Sequence, residues 1–156
     1  MKQHIIERVH SLRSYMKAHQ LDAFIFPSTD PHCGEYIPEH WKAREWISGF
    51  NGSAGTAVVT LDNAALWTDS RYFIAAEEQL KGTPFTLMKD KLPSTPSITQ
   101  WLTQQLQENC VVGVDAWVNA TNEVFRLKEE LGKNNIFVNT DFNPTEQLWK
   151  ERPSIP

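Results

Sequence analysis

The sequence predicts an α/β domain, a mixed β-sheet with helices on both faces. Short, wholly apolar segments such as Ala23-Phe24-Ile25-Phe26 and Val111-Val112-Gly113-Val114 suit strands buried on both sides. Between such segments lie stretches whose apolar residues recur every three or four positions, the period of an amphipathic helix. Two further apolar runs, Thr56 to Leu61 and Ala64 to Trp67, are separated only by Asp62-Asn63, which signals a hairpin and hence an antiparallel pair.

The elements follow in order. Ile5, Val9, Leu12 and Met16 form one stripe of a first helix, with Glu7, Arg8, Arg13 and Lys17 around it. Pro27 closes the first strand, and Pro27 to Glu39 reads as a long loop. Glu39 to Ile47 suits a short helix with Trp41 and Trp46 among its apolar contacts. At the hairpin, Asp and Asn tolerate the positive φ that two-residue turns need. Asp69 is placed to cap a helix whose Phe73, Ala76 and Leu80 share a face and which Gly82 ends. Phe85 to Met88 reads as a strand. Thr95-Pro96 reads as the cap and first residue of a helix with Ile98, Trp101, Leu102 and Leu106 inward. Glu123 to Leu131 is a helix stopped by Gly132, and Ile136 to Val138 is the last strand. The domain is expected over 1–140. The proline-bearing tail 141–156 reads as a linker with one short helical turn around Gln147-Leu148-Trp149.

Composition narrows the function classes. The chain has 156 residues, enough for one ordinary domain with a substantial core. Fifteen Lys and Arg against nineteen Asp and Glu leave a formal charge of −4, so the basic surplus that nucleic acid binding needs is missing. No apolar run approaches the length of a membrane span, and the first ten residues show no secretory pattern. With two cysteines, Cys33 and Cys110, no disulfide framework is expected, and the reading is a cytoplasmic chain.

Several catalytic templates fail on spacing. Gly49-Phe50-Asn51-Gly52-Ser53-Ala54-Gly55 lacks the Gly-Lys-Ser/Thr ending of a phosphate loop and precedes a strand instead of a helix, so its glycines serve tight backbone turns. Ser53 is not in a nucleophile-elbow sequence. His32, Cys33, Glu35 and His40 lie close in sequence but without metal-ligand spacing. Arg44, beside Trp46 and the glycine-rich bend, has two readings: a fixed fork for a substrate carboxylate, or an internal ion pair with Glu45 or Glu39. The run Asp69-Ser70-Arg71-Tyr72 reads first as a helix start. No self-sufficient catalytic set emerges.

Three blocks carry a resemblance: Ser28-Thr29-Asp30-Pro31-His32-Cys33-Gly34-Glu35-Tyr36-Ile37-Pro38, then Arg44-Glu45-Trp46-Ile47-Ser48-Gly49-Phe50-Asn51-Gly52-Ser53-Ala54-Gly55-Thr56, and Trp67-Thr68-Asp69-Ser70-Arg71-Tyr72-Phe73. In this order the chain resembles the N-terminal domain of three-domain Xaa-Pro aminopeptidases (aminopeptidase P, peptidase family M24). The resemblance implies a creatinase/prolidase N-terminal fold of ribonuclease H-like type. It also implies a parent metallo-aminopeptidase that removes the residue preceding proline with two divalent metals, usually manganese. Their Asp, His and Glu ligands belong to a C-terminal catalytic domain that this sequence does not contain. The 156 residues are therefore expected to be an inactive fragment that walls the cleft and supports assembly, with no cofactor and no metal ligand of its own. Its expected partners are the catalytic domain of the same chain, a peptide with proline second, and a second copy in a homodimer. Arg44 and Tyr36 are the expected substrate contacts. Tyr36, Trp46 and Phe50 are candidates for apolar cleft or interface surface, with core packing the alternative for Trp46 and Phe50. The alternative is a peptide- or protein-binding module of the metal-free, histone-chaperone-like type. Creatine or proline-dipeptide hydrolases share the fold but match the motifs less well.

Overall fold

The computed structural model describes residues 3–27, 43–52, 55–90, 92–114 and 121–149. The chain runs through α1 (Gln3–Ala18), β1 (Ala23–Pro27), α2 (Ala43–Ser48), β2 (Thr56–Thr60) and β3 (Ala64–Thr68). A single 3-10 turn (Ser70–Tyr72) leads into α3 (Phe73–Leu80) and β4 (Phe85–Lys89). Then come α4 (Ile98–Gln105), β5 (Val111–Val114), α5 (Thr121–Gly132), β6 (Phe137–Asn139) and α6 (Pro144–Leu148).

The strands form one six-stranded sheet in the order β4-β3-β2-β1-β5-β6. β2 pairs antiparallel with both β1 and β3, while the β3–β4, β1–β5 and β5–β6 pairs are parallel. Five strands thus run one way and β2 alone runs back. Successive side chains of a strand point to opposite faces, and here both faces are covered. Phe24, Phe26, Ala57, Val59, Ala64 and Leu66 pack on the side of α1, α2, α3 and α6. Ala23, Ile25, Val58, Ala65 and Trp67 pack against Trp101 and Leu102 of α4 and Leu131 of α5. The mixed sheet with helices on both faces is as the sequence predicts.

Local chemistry moves several boundaries. The hairpin turn contains no positive φ; the non-glycine residues with positive φ among those described are Gln20, Asn109 and Asn135. Instead the Thr60 hydroxyl accepts from the Asn63 amide at 2.9 Å and the Asp62 amide at 3.3 Å, so a side chain closes the turn. The cap of α4 is Ser97, not Thr95. Ser97 and Gln100 form a reciprocal capping box, which leaves Pro96 outside the helix, its carbonyl accepting from Trp67 Nε1 at 2.9 Å. Asp69 caps the 3-10 turn, and α3 starts only at Phe73. Gly132 is the last residue of α5, and the reversal follows at Asn135, φ 59°. β6 is shifted by one residue: the Ile136 amide donates back to the Leu131 carbonyl of α5 at 3.1 Å, and contact with the β5 side begins with the Phe137 amide on the Cys110 carbonyl at 2.9 Å.

Of the tail expected to be a linker, residues 141–149 are described, and they are docked. Trp149 stacks on Trp46 at 5.7 Å, and Phe142 lies 4.7 Å from the His19 ring. Arg8 covers Trp46 and donates to its carbonyl at 2.7 Å. We predict that Leu66→Ala, which truncates a fully buried side chain in a strand covered on both faces, lowers unfolding stability by about 2–5 kcal/mol. Urea denaturation with an unchanged m-value is the check.

Candidate functional site

The topology gathers several chain segments at one edge of the sheet. Because β2 is reversed, its amino end lies beside the carboxyl ends of β1, β3, β4 and β5. Open α/β sheets place ligands at the carboxyl ends of their parallel strands. Two concavities touch this edge. A hollow of about 330 Å³ is lined by Thr68, Asp69, Asp90 and Ser97 among others. A groove of about 1010 Å³ runs between α4 and α5, with Ile25, Pro27 and Thr56 on its floor.

The bend before β2 is tied residue by residue. The Gly49 amide donates to the Glu45 carbonyl at 2.8 Å, and Gly49 sits at φ +80°, where a side chain would be strained. Ser48 Oγ donates to the Arg44 carbonyl at 2.7 Å and accepts from the Phe50 amide at 3.1 Å. The Asn51 amide donates to Gln79 Oε1 at 3.0 Å, and Gln79 Nε2 donates back to Asn51 Oδ1 at 2.9 Å. The carbonyl of Gly52 accepts from Arg44 Nη2.

Arg44 is the central strut of this arrangement and is only 7% exposed. Its guanidinium lies 5.0 Å from the Phe50 ring centroid, a cation–π geometry. Phe50 is itself fully buried and meets Tyr72 edge-on at 6.1 Å. Nε and Nη1 of Arg44 have no hydrogen-bond partner among the described residues. Loss of solvent pushes the guanidinium down to about 10, against the favourable charge of Glu45 and the Tyr72 phenol. The unfolded chain thus holds this proton more tightly than the folded one. The cost of burying the charge is present in full at neutral pH and is relieved only as pH rises past about 10. The hydrogen-bond partner of Arg44 is a backbone carbonyl, and of the two carboxylates proposed to pair with it, Glu39 lies outside the described residues.

Arg71 has the opposite character. Its side chain is 67% exposed, yet Asp69 holds it by two contacts, Nε to Oδ1 at 3.1 Å and Nη2 to Oδ2 at 2.9 Å. The hydrogen bond from Asp69, then its charge, raises the Arg71 pKa. The result is an exposed, pre-oriented fork beside the hollow, with Nη1 outside the Asp69 pair. The run is the start of the 3-10 turn, as its sequence suggests, and Asp69 has a second use there besides capping. The spacing Asp-x-Arg at a cap was the available signal, since one carboxylate there accepts both the Arg71 amide, at 3.0 Å, and the Arg71 side chain.

Tyr36, His32, Cys33, Glu35, His40 and Ser53 lie outside the described residues. Trp46 and Phe50 are buried in the core. Among the described residues no group of three or more His, Cys, Asp or Glu is placed to hold a metal ion. None of the described histidines, His4, His10 and His19, lines the hollow or the groove.

Residues 8–145 match the model of the Creatinase/Prolidase N-terminal domain. The chain belongs to this family. It is 42% identical over 139 residues to Aminopeptidase P2 of Arabidopsis thaliana, a match covering 87% of this chain and 19% of that protein. It is 39% identical over 151 residues to Xaa-Pro aminopeptidase 1 of Dictyostelium discoideum, covering 97% and 24%. The chain thus spans about a fifth to a quarter of the length of these curated relatives. The X-prolyl aminopeptidase of Caenorhabditis elegans, described as a cytosolic enzyme with a di-nuclear active site, superposes with a TM-score of 0.90 at 28% identity. That match covers 97% of this chain and 26% of the worm protein. The N-terminal domain of a cytoplasmic peptidase of Mycobacterium tuberculosis shares the fold, with a TM-score of 0.65 at 22% identity over 91% of this chain and 98% of its own. No described helix is long and apolar enough to cross a membrane.

Gly55 reports on the packing of the strut. A Cβ there would stand 2.9 Å from both Arg44 Nη1 and the Trp67 carbonyl oxygen. The carbonyl belongs to a paired strand and cannot retreat. Gly55→Ala is expected to cost about 1–3 kcal/mol as an overpacking change, read as a fall in melting temperature of several degrees.

Proposed function

We propose that this chain is the non-catalytic N-terminal domain of a cytosolic Xaa-Pro aminopeptidase, and that the carboxyl edge of its sheet walls the substrate cleft. The observation that carries this reading is the match along nearly the whole chain to relatives named for one activity, at 39–42% identity. The site is consistent with a wall and not with a reaction centre. It offers hydroxyls and two carboxylates around a hollow, one of them, Asp69, holding the exposed Arg71 guanidinium, with no nucleophile paired to a base among the described residues. The metal pair that supplies the attacking water belongs, in this proposal, to the catalytic domain that follows.

The geometry divides the roles of the two arginines. An arginine that meets a peptide must reach solvent, and Arg71 does. Arg44 is enclosed, so its contribution is to hold the bend in shape. Asp69 keeps the Arg71 fork in one orientation before any peptide arrives, which lowers the ordering cost of binding. An assembly role for this domain, as a homodimer, is part of the same proposal.

The test is to assay the full-length protein, with manganese, on peptides that have proline second. Cleavage of the first residue is expected, together with no cleavage of matched peptides lacking that proline. Absence of activity on every such peptide rejects the reading. Arg71→Gln in the same protein is expected to lower kcat/KM by about 10- to 100-fold, the scale of one hydrogen bond from a charged donor, with the melting temperature unchanged. Unaltered kinetics would remove Arg71 from the cleft.

A further inference from the structure

We infer that Gln79 is a positioning residue, clamping the exposed head of the glycine bend so that the wall of the cleft keeps one shape when a peptide enters. The inference rests on the proposed aminopeptidase reading and deepens it. Gln79 lies in the last turn of α3, and no part of the motif comparison singled it out. Its carboxamide meets Asn51 at two points: Oε1 accepts from the Asn51 amide at 3.0 Å, and Nε2 donates to Asn51 Oδ1 at 2.9 Å. Both contacts span 28 residues, so they fix the bend to an element that the local chain does not reach.

The placement argues for a positioning role over a purely packing one. The residues that make the bend stable are buried: Arg44, Ser48 and Phe50. Asn51 is exposed, and it sits at the turn of the chain that those residues support from below. Arg44 secures Gly52 from the core side through its carbonyl. Among the described residues Gln79 is the side chain that ties Asn51 from the outer side, and without that tie an exposed amide with water as its alternative partner would be free to turn. α3 is also the helix entered through the 3-10 turn that carries Arg71. One short helix therefore presents the exposed fork at its start and the clamp at its end. The relative position of Arg71 and Asn51 is set by that helix.

The experiment uses full-length protein. Gln79→Leu keeps the side-chain volume and removes both contacts, while Gln79→Glu keeps the acceptor for the Asn51 amide and loses the donor. Steady-state kinetics on a Xaa-Pro peptide are expected to show KM raised about three- to tenfold in Gln79→Leu, with kcat within about twofold, and an intermediate value for Gln79→Glu. The melting temperature is expected to stay close to that of the unaltered protein, because Asn51 is exposed and Gln79 only half-buried, outside the core. A fall in melting temperature with KM unchanged would mean that the clamp is structural only and would overturn the inference, as would unchanged KM and unchanged stability together. An unaltered protein that cleaves no Xaa-Pro peptide would sink the underlying reading, whereas an active protein indifferent to Gln79→Leu would sink the clamp alone.

Discussion

The structure depends on one constraint: the central strands β1, β2 and β3 are buried on both faces at once. The side chains at the middle of each strand are therefore apolar on both faces, as Phe24, Ile25, Val58, Val59, Ala65 and Leu66 are, and the buried threonines Thr60 and Thr68 stand at the strand ends. Helices must then cover each face, which requires connections that leave the sheet and return. Parallel neighbours joined through α3 and α5 are the economical way to do so. The edge proposed to wall the cleft is a by-product, because loops emerging from such connections collect where the parallel strands end.

Much of this was legible because burial on both faces writes a plain pattern. Short apolar runs such as Ala23 to Phe26 cannot serve as half-solvated strands, and the stripe Ile5, Val9, Leu12, Met16 has a single helical reading. What escaped was decided by single polar side chains. Whether the hairpin turns through Asp62-Asn63 or is closed by the Thr60 hydroxyl depends on a bond worth about 1 kcal/mol. The choice between Thr95 and Ser97 as cap of α4 depends on the reply from Gln100. The docking of α6 depends on Trp149 finding Trp46 across the length of the chain, a pairing that no local pattern announces.

The site shows the same division. Sequence motifs drew attention to the bend and the run after β3, since their glycines and charges are dense. Motifs do not encode depth. Arg44 and Arg71 look alike on the page, yet one is enclosed and costly to keep charged while the other stands in solvent on a carboxylate. The different roles proposed for them rest on that difference in surroundings.

The reversed strand β2 carries one more consequence, for the order of assembly. β2, β3, α3 and β4 are consecutive neighbours and can associate through short loop closures. β1 joins this group locally through β2, but its other edge must wait for β5, which arrives from the far half of the chain. The parallel β1–β5 seam is the distant closure in this topology, and such closures set the pace of folding. Until it forms, β1 has one edge unprotected, and the domain's exposure to misassociation lasts as long as that interval.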